Sequence, residues 1–139
     1  MMTKTFAAQI ENLEEMRNFI KDYAVEIGFD KQNIARLELI TEEVFVNIIN
    51  HGYSGKGGSI EIDCSQPDES SLKIVITDYG IPFDPIANAK DIDINAPLEE
   101  RTYGGYGIFL ILKVMDEVNY KRKDNANILT MVKRKCSPR

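Results

Sequence analysis

Three short segments hold the residues whose types and spacing could do chemistry. The first is Glu43-Val44-Phe45-Val46-Asn47-Ile48-Ile49-Asn50-His51-Gly52-Tyr53. Glu43, Asn47 and His51 recur every four residues, which on a helix stacks them turn above turn on one face. The helix around them is apolar, and burying a carboxyl and an amide without partners is costly. The stripe therefore faces either solvent or a cleft. Facing a cleft, the Asn47 amide offers a neutral oxygen to Mg²⁺, an ion that keeps several waters and takes substrate phosphates as its other ligands. Glu43, one turn earlier, could accept a proton from an attacking hydroxyl or water.

The second segment is Asp78-Tyr79-Gly80-Ile81-Pro82-Phe83-Asp84-Pro85. A carboxylate at the end of a strand can accept a hydrogen bond from an exocyclic amine such as that of adenine. Gly80 would let the backbone approach a flat ring closely. The same residues also fit an ordinary Asp-x-Gly turn. The third segment, Gly104-Gly105-Tyr106-Gly107-Ile108-Phe109-Leu110, opens a helix. Free backbone N–H groups and the positive dipole end favour phosphate there, with a glycine hinge as the alternative. Arg101, three residues upstream, could reach a terminal phosphate or lie on the surface. No Gly-Lys-Ser/Thr follows, so this is not a Walker loop. A long irregular segment precedes it instead of a strand, so it is not a dinucleotide fingerprint.

Positioning these groups requires a particular succession of elements. Thr3 to Ile10 alternates loosely, as an edge strand does. Leu13, Met16, Phe19, Ile20 and Tyr23 recur at helical spacing, which predicts a helix over about 12–27 with Asn12 as N-cap and Gly28 at its end. Asp30 caps a second helix, along which Ile34, Leu37, Ile40, Val44 and Ile48 mark one face. Leu39, Val46 and Ile49 widen that face, so this helix is expected to be buried on more than one side. Ser59 to Cys64 and Leu72 to Thr77 read as a hairpin turned at Pro67-Asp68-Glu69-Ser70. Periodicity fails from Gly80 to Tyr103, a length typical of lids or of disordered segments. Helical spacing resumes over Gly107 to Met115, and the strands Val118-Asn119-Tyr120 and Ile128 to Val132 follow, joined by a turn over Lys123-Asp124-Asn125-Ala126-Asn127. The order βα-α-ββ, lid, α-ββ predicts one domain over 1–139. Its class is α/β (α+β), a two-layer sandwich whose mostly antiparallel mixed sheet is covered on one face by helices.

Bulk properties exclude some functions. With 139 residues the chain is one domain's length and can bury a core without staples. A formal net charge of −5 disfavours a nucleic-acid surface, which needs a basic stripe, and the small Lys133-Arg134-Lys135 cluster reads as a solvated end. Cys64 and Cys136 match no metal or redox spacing and read as thiols of a reducing cytoplasm. No stretch is apolar for long enough to span a bilayer and no signal peptide is evident, so a cytoplasmic location without membrane contact is expected.

Taken together, the three segments resemble the N box and two glycine boxes of the Bergerat-type ATP-binding fold, shared by gyrase, the 90-kilodalton heat-shock chaperone, histidine kinases and mismatch-repair ATPases. The short length and Thr41-Glu42-Glu43 through Asn47 to His51-Gly52-Tyr53 resemble in particular the anti-sigma factor serine/threonine kinases of bacterial partner switching. The likeness runs from the first strand and Arg17 to Met115-Asp116-Glu117-Val118. It implies ATP and Mg²⁺ as cofactors, with Glu43 as general base and Asn47 as metal ligand. It implies Asp78 as the adenine-binding carboxylate, with Gly80 beside the ring and Phe83 in the same pocket. Arg101, Gly104, Gly105, Tyr106 and Gly107 would meet the phosphates at the base of a lid over about 80–104. The implied protein substrate is an anti-anti-sigma factor, the implied target a sigma factor or similar regulator, and the implied assembly a homodimer. Glu42 beside Glu43 leaves the base identified only by its spacing to Asn47. An ATP sensor without phosphoryl transfer, an ATPase clamp and a histidine-kinase catalytic domain are the rival readings.

Overall fold

Burial alternates residue by residue along β2 (Ser59–Ser65) and β3 (Ser71–Asp78), and that alternation organises the molecule. In the computed structural model, which describes residues 1–84, 111 and 113–135, Ile60, Ile62 and Cys64 of β2 and Leu72, Ile74 and Ile76 of β3 all point to one face and are buried. Period-two alternation of this kind is what one covered face demands. β1 (Met2–Ala7), β4 (Glu117–Lys123) and β5 (Ala126–Arg134) complete a five-stranded sheet in the order β1-β2-β3-β5-β4. All four pairings are antiparallel, so the expected mixed sheet is, among the described residues, wholly antiparallel. The α+β two-layer architecture is as expected.

Two helices cover the inner face. α1 (Leu13–Glu26) buries Met16, Ile20 and Ala24. It ends in a double hydrogen-bonded cap: Phe29 N–H donates to Ala24 O at 3.0 Å and Gly28 N–H to Val25 O at 3.1 Å. Gly28 sits at φ +98°, a conformation only glycine adopts without strain. At its other end the expected cap is absent. A 3₁₀ turn, Ile10–Asn12, leads into the helix, and the Asn12 amide donates to Ala7 O at 2.9 Å instead of closing an N-terminal N–H.

α2 (Lys31–Asn47) starts as expected, with Asp30 Oδ1 accepting from Asn33 N–H at 2.8 Å. Its first half is buried on one side only, and Leu39 is exposed. Its second half is buried almost all round through Thr41, Val44, Phe45 and Asn47. It then widens into a single π turn over Ile48–Gly52.

The β2–β3 turn forms where expected, Asp68 accepting from Ser70 N–H at 2.9 Å and from the hydroxyls of Ser70 and Ser71. The β4–β5 turn is tighter than expected. Only Asp124 and Asn125 lie between the strands, both at positive φ, the geometry of a two-residue hairpin turn. Ala126 and Asn127 therefore belong to β5. Lys133 also departs from expectation. It is buried, with Nζ 3.5 Å from Asp116 Oδ2, because its position in β5 points to the covered face. Of the helix expected over Gly107 to Met115, Ile111, Lys113 and Val114 are described and helical, and Ile111 is buried. No helix among the described residues is long and apolar enough to cross a membrane.

Candidate functional site

The end of β3 and the end of α2 meet over a hollow. Asn47, Ile48 and Gly52 line it from α2 and its π turn, Ile76 and Asp78 from β3, and Phe83 from the segment after β3. Ile111, Tyr120, Asn127 and Leu129 close the remaining sides. The walls are mostly apolar with a few polar groups, the usual make-up of a small-molecule site. Asn47, Asp78 and Phe83, separated widely in sequence, are thus brought together. Asn47 and Asp78 are among the few buried polar side chains of the core.

Glu43 stands one turn before Asn47 and is half-buried, outside the wall of the hollow itself. Burial pushes its carboxyl above the ordinary value of 4.5, and the neighbouring Glu42 adds to the rise. The Asn47 side chain and His51 pull it partly back. Glu42 points elsewhere: Arg17 Nη1 of α1 lies 3.2 Å from Glu42 Oε1. The two adjacent carboxyls, equivalent in sequence, are separated by this pairing, and Glu43 is the one on the Asn47 side. His51 is exposed and off the wall. The π turn that contains it has more residues per turn than an α-helix, so the four-residue stacking stops at Asn47.

Asp78 Oδ1 accepts from Gly80 N–H at 2.9 Å and from Asn127 Nδ2 at 3.0 Å. Among the described residues Oδ2 receives no donor. Gly80 does not stand beside the hollow but behind it, where a Cβ would come within 2.4 Å of Gly52 O. Its place is set by backbone against backbone, and Arg122 Nη1 holds its carbonyl at 2.7 Å. Tyr53 fastens the same corner. Its hydroxyl accepts from Tyr79 N–H and donates to Ser59 O, both at 2.7 Å.

Asn127, Tyr120 and Arg122 are site residues that sequence reasoning missed. The sequence places Asn127 in the expected turn over Lys123 to Asn127, and its pairing with Asp78 across β3 and β5 joins residues far apart in sequence. Arg101, Gly104, Gly105, Tyr106 and Gly107, with most of the lid over 80–104, lie outside the described residues. No cluster of His, Cys, Asp and Glu able to hold a metal by itself occurs among the described residues. Cys64 is buried in the sheet and its thiol is pushed up to about 12 by burial, so it is no nucleophile.

Comparison with known proteins places the chain in a family. The chain is 29% identical over 132 residues to a protein named serine-protein kinase RsbW from Halalkalibacterium halodurans, covering 93% of this chain and 80% of that one. It resembles the structure of the RsbU and RsbW domains of a Mycobacterium tuberculosis protein, with a TM-score of 0.64 at 17% identity. That match covers 96% of this chain and only 31% of the larger one. It also resembles a chain of the SiaB–SiaC complex from Pseudomonas aeruginosa, with a TM-score of 0.56 at 11% identity over 96% of this chain and 89% of that one. The family model for the histidine kinase-like ATPase domain matches residues 6–133, and the chain belongs to that family.

Proposed function

We propose that this protein is an ATP-dependent serine/threonine protein kinase of the anti-sigma type, which phosphorylates a small antagonist protein. The carrying observation is the meeting of Asn47 and Asp78 on one hollow, with Glu43 one helical turn from Asn47 and Glu42 drawn away by Arg17. The sequence relative named as a serine-protein kinase supports the same reading.

In this reading adenine enters the hollow and its amino group donates to Asp78 Oδ2. The phosphates extend past Asn47. When bound, Mg²⁺ would neutralise phosphate charge, with the Asn47 amide oxygen as its protein ligand. Glu43 accepts the proton of the substrate hydroxyl as that oxygen bonds to the γ-phosphorus. The bond from the γ-phosphorus to the β,γ-bridging oxygen breaks, and ADP leaves with the electron pair. A carboxyl held above its ordinary range by burial is the better proton acceptor. Arg101, Gly104, Gly105, Tyr106 and Gly107 complete the phosphate side of the site.

The antagonist is an anti-anti-sigma factor, and the target held when the antagonist is phosphorylated is a sigma factor or similar regulator. A homodimer working in the cytoplasm completes the reading. The net charge of −5 suits protein partners better than nucleic acid.

The test is incubation with γ-labelled ATP and a candidate antagonist. Wild type is expected to label the antagonist. Glu43→Ala should bind ATP but transfer at least about a hundredfold less, the usual range for a general base. Asp78→Asn should weaken ATP binding about tenfold. A wild type that binds ATP yet labels no Ser/Thr antagonist would leave only the second reading, an ATP-dependent binding module without transfer.

A further inference from the structure

Asn127 spends every hydrogen-bonding valence of its side chain on one corner of the hollow. Nδ2 donates to Asp78 Oδ1 at 3.0 Å and to Ile81 O at 2.9 Å. Oδ1 accepts from the Tyr120 hydroxyl and, at 3.4 Å, from Phe83 N–H. Two donors and two lone pairs are the full inventory of an amide. The network also fixes which way the amide points. Turned over, its oxygen would face Asp78 Oδ1 and Ile81 O, two acceptors, and its NH₂ would face the Phe83 N–H, another donor.

This arrangement has a consequence for Asp78. A buried carboxyl on a strand end can rotate and offer either oxygen to a ligand. Here two donors converge on Oδ1, from Gly80 and Asn127, and among the described residues none reaches Oδ2, which is left as the acceptor. The Gly80 contact alone would not hold the carboxyl plane, because one hydrogen bond leaves rotation about it free. Asn127 supplies the second from the neighbouring strand, at the register position opposite Asp78.

We propose that Asn127 is a positioning residue for base selection. It holds the Asp78 carboxyl so that Oδ2 meets a 6-amino purine and repels a 6-oxo purine, and it ties Ile81 and Phe83 to the same point. The proposal rests on the nucleotide reading above. Asn127 lines the hollow, and its part in base selection is exerted through Asp78. Tyr120 in turn orients Asn127 from β4.

The measurement is calorimetric binding of three probes: ATP, inosine triphosphate, and purine riboside triphosphate, which has hydrogen at the 6-position. Wild type should bind ATP most tightly and inosine triphosphate least. In Asn127→Ala the preference for ATP over purine riboside triphosphate should fall about tenfold, while affinity for the latter stays near wild type. A purely structural role would weaken both probes alike and leave their ratio unchanged, which would overturn the proposal. Should Asn127→Ala not fold, as judged by circular dichroism, Tyr120→Phe removes only the hydroxyl that holds the amide. It should lower the same ratio about threefold, and an unchanged ratio there overturns the proposal equally. A wild type that binds none of the three probes sinks the nucleotide reading itself, a result distinct from an unaltered ratio.

Discussion

Gly80 and Gly52 lie backbone against backbone, and Ile81 N–H donates to Gly52 O at 2.9 Å beside that contact. The end of β3, which carries Asp78, is joined here to the π turn that follows Asn47 at the end of α2. A side chain at Gly80 would have to displace main chain, since the atoms met by a Cβ, at 2.4 to 2.9 Å, all belong to the Gly52 backbone.

The first prediction follows directly. Gly80→Ala should lose about 2 kcal/mol or more of stability, the cost of overpacking against atoms that cannot rotate away. ATP affinity should fall with it, because Gly80 N–H is one of the two donors to Asp78 Oδ1. Urea denaturation and calorimetry check the two effects. Wild-type values in both would mean that the backbone crossing is not as close as the structure has it.

A second prediction concerns Glu43. A general base must be ionised, so the transfer rate should fall as pH drops through the raised value of its carboxyl. Glu42→Gln removes a like charge and should move this acidic limb to lower pH. His51→Ala removes a favourable charge and should move it to higher pH. Measured against wild type at fixed Mg·ATP, the titration of the nucleotide cancels. Identical limbs in all three proteins would exclude Glu43 as the titrating base. Stability has the opposite sign. The folded protein holds the Glu43 proton more tightly than the unfolded chain, so this residue's contribution falls as pH rises from 4.5 through the raised value. Glu43→Gln should lessen that decline.

Glu43, Asn47 and Asp78 declared themselves because each is a polar residue set into an apolar run, at helical spacing or at a strand end. The strands and helices were legible for the same reason, periodicity being local. Asn127 was not legible. In Lys123-Asp124-Asn125-Ala126-Asn127 every polar residue suits a turn, and only the observation that two residues suffice for this hairpin moves Asn127 into β5. Its partnership with Asp78 and that of Arg17 with Glu42 are non-local, and no spacing rule reaches them. Lys133 was misread because a cluster of three basic residues suggests a solvated tail, whereas a strand sends alternate side chains to opposite faces.

The ion pair between buried Lys133 and the more exposed Asp116 carries the last prediction. Lys133 is only 3% exposed, and Asp116 Oδ2 both faces its ammonium and accepts from Arg134 N–H at 2.7 Å. Removing the anion strands a buried cation, whereas removing the cation leaves a carboxyl with a remaining donor and some contact with water. Asp116→Ala should therefore destabilise by about 3 kcal/mol and Lys133→Met by about 1 kcal/mol or less. The Asp116 carboxyl also ties the approach to β4 to the end of β5, through Oδ2 accepting from Arg134 N–H, and β4 supplies Tyr120 and Arg122 to the site. Freeing that approach should loosen the corner around Asp78, so Asp116→Ala should weaken ATP binding and Lys133→Met should not. Equal destabilisation by the two substitutions in urea titrations would mean that Lys133 does not depend on Asp116 for its burial.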